Sequence, residues 1–210
     1  MTLPILYSFR RCPYAMRARL GLASADLRVE LREVVLRDKP PAFLAASPSA
    51  TVPCLKAGDS VIDESLDIMC WALAQNDPEG LLDMPQDGHA LIAATDGPFK
   101  TALDRYKYHT RYDDADREAE RTKASAHLET LNTQLTGQDW LFGPTPRLAD
   151  LAILPFIRQF AMTDKTWFDA QDWPDLHRWL ETFLASPRFA AIMTKYPQWR
   201  EGDAPIFFSG

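Results

Sequence analysis

The sequence predicts a two-part chain: a small mixed α/β unit over residues 1–80, a linker at 81–86, and an all-helical unit over 87–210. Three observations carry this. Residues 1–80 alternate short strand-like and helix-like runs in the order strand, helix, strand, helix, strand, strand, helix, whereas residues 85–200 show helical spacing almost throughout. Between them, Asp77-Pro78-Glu79-Gly80 and Met84-Pro85 break both patterns.

Each element has a local reason. The apolar run Leu3 to Phe9 reads as a strand. A helix opens at Cys12-Pro13, with Met16, Leu20 and Ala23 at helical spacing and Pro13 at the first helical position, where its missing N–H costs nothing. Leu27 to Arg32 alternates apolar and charged residues, as a half-buried strand does. A short helix follows at Pro41–Ala46. Val52–Leu55 and Ser60–Ile62 are strands around the Gly58-Asp59 turn, and a helix starts at Ser65. That order fits a mixed sheet whose first two strands are parallel and joined by a right-handed helical crossover. In the second part the spacing predicts helices at about 88–112, 116–135, 148–161, 174–185 and 187–195. The helix after Arg147 has Asp150 where a carboxylate reaches back to a free backbone N–H.

Composition excludes several classes. With 210 residues the chain can bury a sizeable core without staples. Its three cysteines, Cys12, Cys54 and Cys70, are too sparse for a disulfide-stapled secreted protein and point to a reducing cytoplasm. The net charge of −6 argues against nucleic-acid binding. The longest uncharged stretch, Pro40 to Leu55, holds four prolines and is too short for a membrane span, and the N-terminus lacks the features of a signal peptide. The cysteine and histidine spacings match no zinc pattern, so no metal is expected.

Cys12 stands out chemically. At a strand-to-helix junction its sulfur faces the positive end of the helix dipole, and Arg10, Arg11, Arg17 and Arg19 precede any acidic residue in the chain. Both effects favour the thiolate, the nucleophilic form. Ala15 occupies the position three residues on, so no internal C-x-x-C disulfide can form and a resolving thiol must come from outside. Cys54 and Cys70 read as core residues.

Taken in order, the first strand, Cys12-Pro13-Tyr14-Ala15, the alternating strand, Thr51-Val52-Pro53, Asp63-Glu64-Ser65 and Arg147-Leu148-Ala149-Asp150-Leu151-Ala152 resemble the cytosolic glutathione transferases. The likeness is to their cysteine-type, omega-like and glutaredoxin-like members. It implies a thioredoxin-like first domain, an all-helical second domain, glutathione as cosubstrate and a homodimer. Cys12 then falls at the catalytic position and Tyr14 at that of an aromatic beside the sulfur. Val52 falls where a residue before a cis-proline, here Pro53, turns its backbone toward glutathione. Glu64 and Ser65 match the pair that holds the γ-glutamyl end, and Lys39 a lysine toward the glycine end. Arg147 stands where the family has a serine or threonine helix cap, which leaves that helix start dependent on Asp150.

The junction residue is a cysteine rather than the tyrosine or serine of conjugating members, so the resemblance implies thiol transfer, dehydroascorbate reduction or deglutathionylation through a mixed disulfide with glutathione. One rival is conjugation of glutathione to electrophiles, with Tyr7 or Ser8 serving its thiolate. Another is a non-enzymatic interaction module of the stringent starvation protein A type. For the second substrate, the family's cleft places Tyr108, Arg111, Tyr112 and Trp167 as contacts. Helical spacing puts Tyr108 and Tyr112 on one face, and Tyr106 with Phe99 and Leu103 on another.

Overall fold

The computed structural model describes residues 3–209 and divides into two units, 1–82 with 186–210, and 83–185. The first unit is built on a five-stranded sheet in the order β4-β3-β1-β2-β5, with β1 at Ile5–Ser8, β2 at Val29–Glu33, β3 at Cys54–Ala57, β4 at Ser60–Ile62 and β5 at Phe207–Phe208. β1 runs parallel to β2, with Leu6 opposite Leu31, and antiparallel to β3, with Leu6 opposite Leu55. The parallel pair is joined through helix α1, Pro13–Ser24, and α2 (Pro41–Ala46) and α3 (Ser65–Leu73) complete the mixed thioredoxin-like arrangement.

α1 is apolar or buried on nearly every side, so its packing is tight. It crosses α3 at Gly21, where an added Cβ would lie 2.7 Å from the Met69 Cα and as close to its Cγ. The neighbour is backbone and cannot swing aside. Gly21→Ala is therefore expected to destabilise the protein by about 2 kcal/mol despite the helix propensity of alanine, read as a lowered denaturation midpoint in urea.

The tail differs from its sequence expectation. Residues 186–210 belong with the first unit rather than with the helices of 87–185. α10, Pro187–Ile192, packs on α1, and Arg188 donates to Ser24 Oγ at 2.6 Å and pairs with Glu79. β5 then covers the outer edge of β2, with Val29 opposite Phe208, and the Arg28 guanidinium lies 4.1 Å from the Phe207 ring centre. A two-residue strand has no alternating run to betray it.

The second unit comprises α4 (Gln86–Ala94), α5 (Lys100–Lys107), α6 (Arg117–Gln134), α7 (Leu148–Ala161), α8 (Lys165–Asp169) and α9 (Pro174–Leu184). The single helix expected at 88–112 is broken twice. Thr95–Phe99 forms a π-helical turn between α4 and α5, and α5 ends at Lys107 ahead of a short 3-10 turn at His109–Arg111. Pro98 explains the first break: it lacks an N–H, and its ring would strike the carbonyl four residues back in a regular α-helix. α7 is buried almost all round, as its apolar sequence demands. At its start Asp150, fully buried, accepts from Arg147 N at 2.8 Å, Leu141 N at 2.9 Å and Trp179 Nε1 at 2.9 Å. The Arg147 guanidinium has no acceptor to offer in return, so the carboxylate does the capping. α8, at five residues, is too short to show a helical period in the sequence.

Candidate active site

Cys12 ends the turn between β1 and α1. Its N–H donates to Phe9 O at 3.1 Å, while its carbonyl accepts from Met16 N at 2.9 Å and so begins the helix. With Pro13 as first helical residue, Cys12 has the extended backbone of a helix N-cap, and its sulfur stands at the end where N–H groups lack carbonyl partners. The half-buried thiol borders the core cluster that Tyr7, Val34, Phe43, Val52, Cys54 and Trp199 form and donates to Val52 O at 3.7 Å. The Val52–Pro53 bond is cis, as the sequence reading expected. Cys12, Val52 and Pro53, some 40 residues apart in sequence, thus meet at one place.

The loop before Val52 is fixed by side chains. Ser47 Oγ donates to Asp63 Oδ1 at 2.9 Å, Ser49 N to Asp63 Oδ2 at 3.0 Å, and Lys39 Nζ to Ala50 O at 3.0 Å. These bonds surround Ala50, whose φ of 53° lies in the left-handed region that a Cβ disfavours. No local pattern in the sequence marks Ser47 or Asp63 for this loop-holding role, which only their distant partners reveal. Next to Asp63, the exposed Glu64 forms the N-cap of α3, its carbonyl accepting from Ile68 N at 2.9 Å, and buried Ser65 is the first helical residue. Tyr14 lies in the first turn of α1 under Arg17, whose guanidinium is 6.0 Å from the ring centre.

The four arginines near Cys12 do not simply line an open basic pocket. Arg17 and Arg19 are buried. Arg19 donates to Ser8 Oγ, to Arg10 O at 2.7 Å and to Ile192 O at 3.0 Å. Burial lowers its pKa to about 10, which leaves it a cation at neutral pH. Beside it, Glu33 brings a buried carboxyl whose pKa is raised, chiefly by desolvation. The other two thiols are held back: burial pushes Cys54 up to about 11 and raises Cys70, with Asp67 adding to the effect. Both stay protonated at neutral pH and are poor nucleophiles.

Tyr7 and Ser8 have other work. The buried Tyr7 hydroxyl accepts from Arg32 Nη1 at 2.9 Å and donates to Ala42 O at 3.5 Å, and burial raises its pKa. Ser8 is fully buried against Arg19.

Tyr108, Arg111, Tyr112 and Trp167 belong to the second unit. Tyr108 closes α5 and stacks under Arg111, 4.3 Å from its ring centre, while Tyr112 lies beyond the 3-10 turn with Arg105 over it at 5.2 Å. The break at Lys107 removes the shared helical face expected for the two tyrosines. Trp167 sits among Phe160 and Trp173, with Arg121 at 4.4 Å. Tyr106, Phe99 and Leu103 are all buried. Among the described residues no group of three or more His, Cys, Asp or Glu could hold a metal ion, and no helix is long and apolar enough to cross a membrane.

Two family models match this chain: the glutathione S-transferase N-terminal domain over residues 6–80 and the glutathione S-transferase C-terminal domain over 114–182, together more than half of it. The chain belongs to the glutathione S-transferase superfamily. Solved structures of the family share its fold. A glutathione transferase family member from Pseudomonas fluorescens, solved with two glutathione bound, is 20% identical with a TM-score of 0.78, over 91% of this chain and 92% of that one. A glutathione transferase from Burkholderia graminis, with two glutathione molecules per subunit, is 20% identical with a TM-score of 0.76, over 91% and 87%. A serine-to-cysteine variant of poplar glutathione transferase F1 is 16% identical with a TM-score of 0.76, over 92% and 97%.

Proposed function

We propose that this transferase-family protein is a glutathione-dependent thiol transferase or reductase with Cys12 as its nucleophile. The observation that carries the reading is the placement of a half-buried thiol at the N-terminus of α1, 3.7 Å from the carbonyl of Val52 at a cis-proline. The glutathione bound in the two bacterial neighbours supports the choice of cosubstrate.

In the first step the Cys12 thiolate attacks the glutathionyl sulfur of a mixed disulfide; the new S–S bond forms to Cys12 and the substrate leaves as a thiolate that takes up a proton. A second glutathione, as thiolate, then attacks the adduct and releases glutathione disulfide and the Cys12 thiolate. Helix-end N–H groups favour the sulfur as anion in both steps. Glutathione lies with its cysteine portion along the Val52 backbone, its γ-glutamyl ammonium toward Glu64 and its carboxylate at Ser65 and the start of α3, where free N–H groups attract anions. Tyr14 borders the sulfur, and Lys39, which fixes Ala50 with one donor, has others for the glycine end. Tyr108, Arg111, Tyr112 and Trp167 are the candidate contacts of the second substrate. The reading also takes the protein to be a cytoplasmic homodimer.

Incubation with glutathione disulfide should load one glutathionyl group on Cys12, found by peptide mass mapping; a protein left unmodified there contradicts the reading. Conjugation through Tyr7 is disfavoured because that hydroxyl is held by Arg32 and Ala42. Tyr7→Phe is therefore expected to keep thiol-transfer turnover within about threefold while costing about 1 kcal/mol of stability from the lost hydrogen bonds. A hundredfold loss of turnover in the folded variant would instead assign the chemistry to Tyr7.

A further inference from the structure

The turn that carries Cys12 is gripped by two buried charges from either side. Arg10, two residues before the cysteine, has its N–H bonded to Glu33 Oε1 at 2.7 Å and its carbonyl bonded to Arg19 Nη2 at 2.7 Å. Arg19 also holds Ser8 at the end of β1, and Val34 N donates to Ser8 O at 2.7 Å. Both clamps are backed by the tail of the chain: Ile192 O accepts from Arg19 at 3.0 Å, and Trp199 N donates to Glu33 O at 2.9 Å. Arg19 is 1% exposed and Glu33 8%. Burying two charges is costly, and Glu33 Oε2 is buried with no hydrogen-bond partner among the described residues.

We propose that Arg19 and Glu33 are positioning residues for Cys12, fixing the turn by gripping the Arg10 residue from both sides and setting the charge around the sulfur with opposite signs. This deepens the reading above and rests on Cys12 being the nucleophile. The charged and titratable groups facing the cluster are Arg19 of α1, Arg10 of the turn, Glu33 of β2 and Tyr196 of the tail, with Cys12 itself. The cation favours the thiolate; the carboxylate opposes it and keeps Arg19 from lying unpaired in the interior.

The test is the pH profile of Cys12 alkylation by iodoacetamide, followed by peptide mass mapping, beside thiol-transfer turnover. Arg19→Met should move the alkylation midpoint up by about one pH unit, a roughly tenfold loss of thiolate below it. Glu33→Gln, which keeps an acceptor for Arg10 N, should move the midpoint down by about half a unit or more. The double variant, with neither charge, should fall between the midpoints of the two single variants. Arg19→Lys should keep the midpoint but lower kcat about tenfold, because one ammonium cannot span the three acceptors that the planar guanidinium reaches. A midpoint unmoved in Glu33→Gln, or moved in the same direction by Arg19→Met and Glu33→Gln, would overturn the proposal. Where Arg19→Met does not fold, the isosteric Glu33→Gln decides by itself. Opposite shifts in a protein that transfers no thiol would uphold the clamp and refute the catalytic reading. Cys12-dependent transfer with unmoved midpoints would do the reverse.

Discussion

Cys12→Ser is expected to lower thiol-transfer turnover by about a thousandfold or more, since a serine hydroxyl is almost never ionised at neutral pH and cannot form the mixed disulfide. The substitution is well suited to isolate chemistry from folding. Serine is a preferred N-cap residue, and residue 12 is the N-cap of α1, so the variant should be at least as stable as the parent. Cys54→Ser and Cys70→Ser should leave turnover within about twofold once folding is verified, because burial keeps both of those thiols protonated. The assay is the release of glutathione from a glutathionylated peptide, coupled to glutathione disulfide formation. Retention of a tenth or more of the activity in Cys12→Ser would refute the mechanism. Loss of exchange with a gain of aryl-halide conjugation would show that the same site can serve glutathione as the nucleophile when the protein's own sulfur is gone.

Asp150→Ala should cost about 4 kcal/mol of stability. Its carboxylate serves three N–H donors at 2.8–2.9 Å, two from the backbone of Arg147 and Leu141 and one from Trp179, and alanine leaves all three buried without an acceptor. Melting followed by circular dichroism should show the fall on the order of 10 °C. The loss should also depend on pH. Burial raises the Asp150 pKa to about 6, above its unfolded value near 3.8. A raised carboxyl pKa means that the native state binds more protons than the unfolded chain between those values. The contribution is therefore full below about pH 4 and declines as pH rises through 6, by about 3 kcal/mol in all. The variant should lack that decline, so the gap between it and the parent narrows from pH 5 to pH 8. A gap that widens over that range would mean that the three donors outweigh burial and hold the carboxyl low.

Much of the first unit was legible because its signals are local. Pro41–Ala46 and Ser60–Ile62 occur at the predicted bounds, as does α7 at 148–161. Cys12-Pro13 marks a helix start through the chemistry of two adjacent residues, and Asp150 announces its cap three residues after Arg147. Pro98 marks the break at Thr95–Phe99 in the sequence, but the helical spacing on either side of it masks that signal.

What sequence determined by itself, then, is the succession of elements from β1 to α3, the boundary between α/β and helical texture, and the identity of the sulfur at a helix start. Each follows from contacts within a few residues, which period and capping residues report directly. Tertiary structure alone decided which distant groups meet: the 186–210 segment with α1 and β2, the Tyr7 hydroxyl with Arg32 rather than toward a thiolate, and Arg19 with Glu33 around Arg10. Arg10, Arg11, Arg17 and Arg19 look alike in a string of letters. Burial separates them, because a guanidinium removed from water must find acceptors, and those of Arg19 come from as far away in the chain as Ile192.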